Sequence, residues 1–134
     1  MRIRKHVAYT PLLKSHFLSD LTKTQFLLKC ENCQYTGSFK IRGASHKILR
    51  LLDAKKYEKI ITASSGNHGL AVATLAEKFN LKAHIFAPKT LSPYKYEKLS
   101  ALGANVTLVE ESALPEDIAM IEAHRTQTPY IPPL

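Results

Sequence analysis

Tryptophan is absent, cysteine occurs twice, and the five glycines (Gly37, Gly43, Gly66, Gly69, Gly103) are never adjacent. Two cysteines cannot build the disulfide framework of a small secreted scaffold, and glycines this sparse rule out collagen-like or low-complexity chains. No stretch reaches the roughly 18 apolar residues that a membrane helix requires. The basic start, Met1-Arg2-Ile3-Arg4-Lys5-His6, leads into no apolar signal core, so the expectation is a cytoplasmic chain with no membrane partner. What remains is 134 residues, 45% hydrophobic and 22% charged, the composition of an ordinary globular unit.

Acidic residues are scarce in the first half. Residues 1–67 carry 13 Lys/Arg against 4 Asp/Glu, whereas residues 68–134 carry 6 against 7. The net charge of +8 therefore belongs to one half of the chain. Its lysines are scattered singly and no aromatic residues alternate with a basic tract, so the pattern of a nucleic-acid groove is missing. A solvated basic surface, or one facing an acidic partner, accounts for the charge, and no nucleic-acid partner is expected. Cys30-Glu31-Asn32-Cys33 is a single Cys-x-x-Cys. Without a second pair or spaced histidines it does not specify a metal site, and none is expected.

From residue 59 onward short apolar runs alternate with helical patterns. Residues 60–63, 83–87 and 106–109 read as buried strands. Residues 68–79 and 93–102 read as helices, and a further helix begins at Pro115 and uses Ile118, Ile121 and His124. Strands separated by helices of this length need crossover connections, which predicts an α/β fold: a small open parallel sheet flanked by helices. Ligands of such sheets bind beyond the carboxyl ends of the strands. Before residue 59 the pattern changes to an extended stretch around Thr10-Pro11, a short helix near 17–21, one strand at 26–30 and a helix at 39–52. That part cannot bury a core of its own and must pack on something else.

Two segments carry chemistry. In Thr36-Gly37-Ser38-Phe39-Lys40-Ile41-Arg42-Gly43-Ala44, Gly37 permits a tight turn, Ser38 is a suitable helix N-cap, and Lys40 falls in the first helical turn. The positive end of a helix disfavours a cation and suits an amine that reacts with an aldehyde, although a plain surface lysine fits the same pattern. In Ser64-Ser65-Gly66-Asn67-His68-Gly69, small residues between a strand and a helix let backbone N–H groups converge on a phosphate or carboxylate, with Ser64, Ser65 and Asn67 adding polar side chains. A well-capped polar loop would look alike, and His68 by itself is more often a structural histidine than an acid–base group.

Residues 31–44 resemble the cofactor-lysine segment of fold-type II pyridoxal-phosphate enzymes of the threonine/serine dehydratase and serine racemase family. Residues 64–69 resemble that family's Ser-x-Gly-Asn-His loop, and Thr10-Pro11-Leu12 its entry segment. The resemblance implies that Lys40 carries pyridoxal 5'-phosphate and takes the α-proton. It also implies that Phe39 packs near the cofactor ring, that Asn67 hydrogen-bonds the ring oxygen, and that Ser64, Ser65, Gly66, Asn67 and His68 bind the substrate carboxylate. The implied reaction converts L-threonine or L-serine to a 2-oxo acid and ammonia. Ser65 also matches the second base of racemase-like members, so racemisation stays open, as does a chain without catalysis. The family's glycine-run phosphate loop has no counterpart among the five glycines. Residues 59–134 are thus expected to form the small domain, and residues 1–58 the opening portion of a large domain whose remainder lies elsewhere. A homo-oligomer or a complementary half is the expected protein partner.

Overall fold

The computed structural model describes residues 2–133. Three parallel strands, β3 (Lys59–Ala63), β4 (Lys82–Pro88) and β5 (Asn105–Val109), lie in that order. Helices α3 (Asn67–Lys78) and α4 (Pro93–Ala101) connect them, and α5 (Pro115–Arg125) follows. After α5 the chain returns to the free edge of β3. There the Ile61 N–H donates to the Pro129 carbonyl at 2.9 Å and the Ile131 N–H to the Ile61 carbonyl at 2.8 Å. The chain leaves β3 for β4 on one side and comes back on the other, so a topological switch point lies beside β3, where α/β sheets open a crevice for ligands. The parallel α/β architecture expected from the alternating pattern is the one present.

Alternation along the strands divides the core in two. Ile60, Ala83, Ile85 and Ala87 face one side, with Val72, Leu75 and Leu99 of the covering helices. Ile61, Ala63 and Phe86 face the other, with Val109 and with Ala119 and Ala123 of α5. α5 thus packs through alanines, while Ile121, expected at its buried face, is exposed. Small side chains let the helix approach the sheet closely, which the spacing of its larger apolar residues did not reveal.

The first part of the chain holds β1 (Leu12–Lys14), α1 (His16–Thr22), β2 (Leu27–Lys29), a 3-10 turn (Glu31–Cys33) and α2 (Lys40–Ala54). β1 and β2 pair antiparallel, Leu12 opposite Lys29, so this part has two strands where the sequence suggested one. A three-residue strand is too short to show a period. α2 contributes Ile41, Ala44 and Ile48 to the core shared with α3 and the sheet. β1, α1 and β2 contribute no buried residue.

Candidate active site

β3 ends at Ala63, and the Ser64 N–H still donates to the Phe86 carbonyl of β4 at 2.9 Å, so the loop of residues 64–69 starts from a fixed position. Ser64 then turns its hydroxyl inward. Its Oγ accepts from the N–H groups of Gly66 at 3.2 Å and Gly69 at 2.9 Å, tying the loop to the first turn of α3. A Cβ on Gly69 would lie 3.2 Å from the Ser64 Cβ, which is why a glycine stands there. Ser64 Oγ thus shapes the loop as an acceptor, and among the described residues its own hydroxyl hydrogen has no acceptor.

The N–H groups of Asn67 and His68, at the first two positions of α3, have no intrahelical acceptor. Among the described residues no other group accepts from them. The side chains of Ser65 and Asn67 are exposed and, with Gly66, line a cleft of about 290 Å³ whose far wall is Tyr94, Lys95, Lys98 and Leu99 of α4. Two free backbone donors, a hydroxyl, an amide and two ammonium groups make this end of the sheet receptive to an anion.

The His68 side chain is structural. Its ring is buried, and Nε2 lies 3.1 Å from Thr62 Oγ1 and 3.2 Å from the Ile131 carbonyl. The Thr62 hydroxyl donates to that same carbonyl at 2.6 Å, which assigns Nε2 the role of donor. The imidazole therefore keys α3 to β3 and to the returning chain, and only the backbone N–H of His68 can meet a carboxylate. Burial pushes its pKa down, the Ile131 hydrogen bond opposes this, and the positive charge of Lys40 lowers it further.

Lys40 opens α2 and is half-buried. The N-cap is Phe39 rather than Ser38, whose Oγ accepts from the Lys40 N–H at 3.4 Å. Gly37, at φ +71°, supplies the left-handed turn before it. Lys40 Nζ sits 5.3 Å from the centroid of the Phe39 ring. Among the described residues no carboxylate pairs with it.

The helix start is held by residues of segments 10–12 and 31–44 to which the resemblance assigns no role. Arg42 donates to both carboxylate oxygens of Glu31, at 2.9 and 2.8 Å, and Thr10 donates to the same carboxylate at 2.6 Å. The Arg42 hydrogen bonds are the main reason the Glu31 carboxyl is held down to about 2. The Gln34 side chain accepts from the Ala8 N–H and donates to the Ala8 carbonyl, both at 2.9 Å. Thr10 is fully buried, and its hydroxyl is satisfied by the Glu31 carboxylate.

The two segments are neighbours. Residues Tyr35, Thr36 and Gly37 face Leu70 and Thr74 of α3 across a second cleft of about 480 Å³, and the charge of Lys40 reaches His68. Lys40 does not line the cleft of Ser65 and Asn67. The residues fit a pyridoxal-phosphate half-site: an unpaired amine beside an aromatic ring, an exposed amide without a partner in Asn67, and a loop with unfilled N–H donors.

The site is thus a loop of free N–H donors at the switch point of a parallel α/β unit, with, among the described residues, an unpaired lysine at the adjoining helix start. A family model described as pyridoxal-phosphate dependent enzyme matches residues 3–133. The chain belongs to this family, in its fold-type II threonine/serine dehydratase and serine racemase branch. It is 40% identical over 124 residues to a putative threonine dehydratase of Sinorhizobium fredii, covering 92% of this chain and 36% of that protein. To the catabolic L-threonine dehydratase of Staphylococcus aureus it is 45% identical over 107 residues, 79% of this chain and 31% of that one. Maize serine racemase superposes with a TM-score of 0.87 at 32% identity over 99% of this chain and 41% of the racemase. The chain spans about a third of the length of the curated relatives it matches.

Proposed function

We propose that this chain supplies the lysine and the carboxylate-binding loop of a pyridoxal-phosphate-dependent threonine/serine ammonia-lyase, which forms a 2-oxo acid and ammonia from L-threonine or L-serine. The observation that carries this reading is the joint anchoring of Lys40 and the loop of residues 64–69. α2 and α3 share one core, through Ile41, Ala44 and Ile48 against Val72 and Leu75, so the amine and the N–H donors are set on rigid elements.

Pyridoxal phosphate, when bound, supplies the electron sink that makes the substrate's α-proton removable. Lys40 Nζ would hold the cofactor and would be the group that takes the substrate's α-proton. Phe39, beside Lys40, and the exposed amide of Asn67 would hold the cofactor's ring. The free N–H groups of Asn67 and His68 and the Ser65 hydroxyl hold the substrate carboxylate, which orients the α-hydrogen. Net loss of the β-hydroxyl as water and hydrolysis of the released enamine give the products.

Residues 1–58 are assigned to a larger cofactor-binding domain and residues 59–134 to the small one. The exposed apolar side chains of β1, α1 and β2 are the contacts through which the rest of a family-length fold, on the same or a second polypeptide, covers the hairpin.

Adding pyridoxal phosphate to the purified chain is expected to produce a visible absorbance band that Lys40→Ala lacks, with 2-oxo acid released from L-threonine or L-serine. Identical spectra for the two proteins would refute the lysine's role, and cofactor binding without turnover would leave a non-catalytic chain. The exposed Ser65 hydroxyl on the cleft favours a second reading, racemisation with Ser65 as the opposing base. In that case Ser65→Ala abolishes D-serine formation and spares elimination.

A further inference from the structure

The Cys30 and Cys33 thiols play no part in the proposed lyase chemistry, and their placement suits a different one. Both are free, Cys33 exposed and Cys30 half-buried. Cys30 precedes the 3-10 turn of residues 31–33 and Cys33 ends it, and the Cys33 N–H donates to the Cys30 carbonyl at 3.0 Å. Three residues per turn bring side chains at i and i+3 onto one face. A turn closed in this way holds its ends within about 7 Å, Cα to Cα, overlapping the roughly 4.4–6.8 Å span that a disulfide bridges. The Cys30 Sγ lies 3.7 Å from the Leu28 carbonyl, folded back toward the hairpin, which leaves Cys33 as the thiol an outside reagent meets first.

We propose that Cys30 and Cys33 are a thiol–disulfide exchange site for a small external disulfide of the glutathione type. Deprotonated Cys33 attacks one sulfur of the external disulfide, forming a mixed disulfide and releasing one small thiolate. Cys30, losing its proton, then attacks Sγ of Cys33, closing the intrachain bond and releasing the second thiolate. The two protons end on the released thiolates: two protein thiols are oxidised and one external disulfide is reduced to two thiols. The same turn carries Glu31, which holds Arg42 and Thr10, and leads into Gln34, which clamps Ala8. Oxidation therefore tightens the joint between the N-terminal segment and the start of the Lys40 helix.

The full chain is equilibrated in glutathione buffers of graded ratio, quenched in acid, alkylated and weighed. The expected product is a monomer two hydrogens lighter, with Cys30 and Cys33 both protected, reverted by a dithiol reductant. Cys30→Ser is expected to stop as a glutathione adduct on Cys33. Cys33→Ser is expected to lose the exchange, and hydrogen exchange at the Ala8 amide is expected to slow in the oxidised wild type. Thiols alkylated at every ratio, a mixed disulfide that persists in the wild type, or disulfide-linked dimers would each overturn the site. Unchanged exchange at Ala8 would overturn the coupling.

Discussion

Residues 59–131 bury Ile60, Ile61, Ile85 and Ile131 almost completely, whereas the hairpin and α1 leave Leu12, Leu13, Phe17, Leu21, Leu27 and Leu28 largely in solvent. Both regions contain apolar residues, yet only the first arranges them on elements long enough to close over one another. A two-stranded hairpin has no second layer of its own. What fixes it is polar: Thr10 with Glu31, Gln34 with Ala8, and Lys29, whose ammonium donates to the Thr10 carbonyl at 2.6 Å. α2 and Lys40 are thus anchored by packing on one side and by a few hydrogen bonds on the other. The hairpin should open locally long before the sheet does.

The largest expected effect comes from Ile48→Ala, which empties a fully buried position joining α2 to α3 and should cost about 2–5 kcal/mol in urea unfolding. Leu13→Ala, on the hairpin, should change stability by less than about 1 kcal/mol; equal losses would break the comparison. Next is Glu31→Ala, which leaves Arg42 and Thr10 without their acceptor. It should cost roughly 2–3 kcal/mol and speed hydrogen exchange at residues 8–14 more than in β3. Uniform acceleration would argue against a local clamp.

Gly69→Ala forces a methyl to 3.2 Å from the Ser64 Cβ and should cost about 1–3 kcal/mol. Its spectroscopic signature should be confined to residues 64–69, read by amide chemical shifts. The remaining effects are those of pH. His68 and His84 are held neutral mainly by burial, their pKa values below the ordinary 6.5. The unfolded chain therefore gains protons first, and stability should decline as pH falls below about 6.5. Glu31, lowered from 4.5 to about 2, contributes stability that is complete above 4.5 and is lost only between those values. Two acid phases should appear in melting temperature against pH, the upper one weakened in His68→Gln.

Much of this was legible beforehand. The period of 59–109 gave the strands and helices, and the small polar residues after Ala63 marked the loop at the strand ends. Lys40 stood out because it opens a helix after a glycine turn. The misses have physical causes. Ser38 looked like the cap, but the turn set by Gly37 makes Phe39 the N-cap. His68 and Ser64 share a motif with Asn67, yet which side chains face the cleft depends on Thr62, Ile131 and Gly69, contacts that sequence spacing does not display. The Glu31–Arg42 pair spans 11 residues and the Gln34–Ala8 clamp 26, beyond the reach of local patterns.

The central claim is that Lys40 is placed to carry the cofactor. The most direct measurement is borohydride reduction of the chain with pyridoxal phosphate, followed by peptide mass mapping. A single predominant pyridoxyl adduct is expected at Lys40, absent from Lys40→Ala and reduced in Asn67→Ala. Labelling spread evenly over the other lysines, with Lys40 no more modified than Lys95 or Lys98, would contradict it.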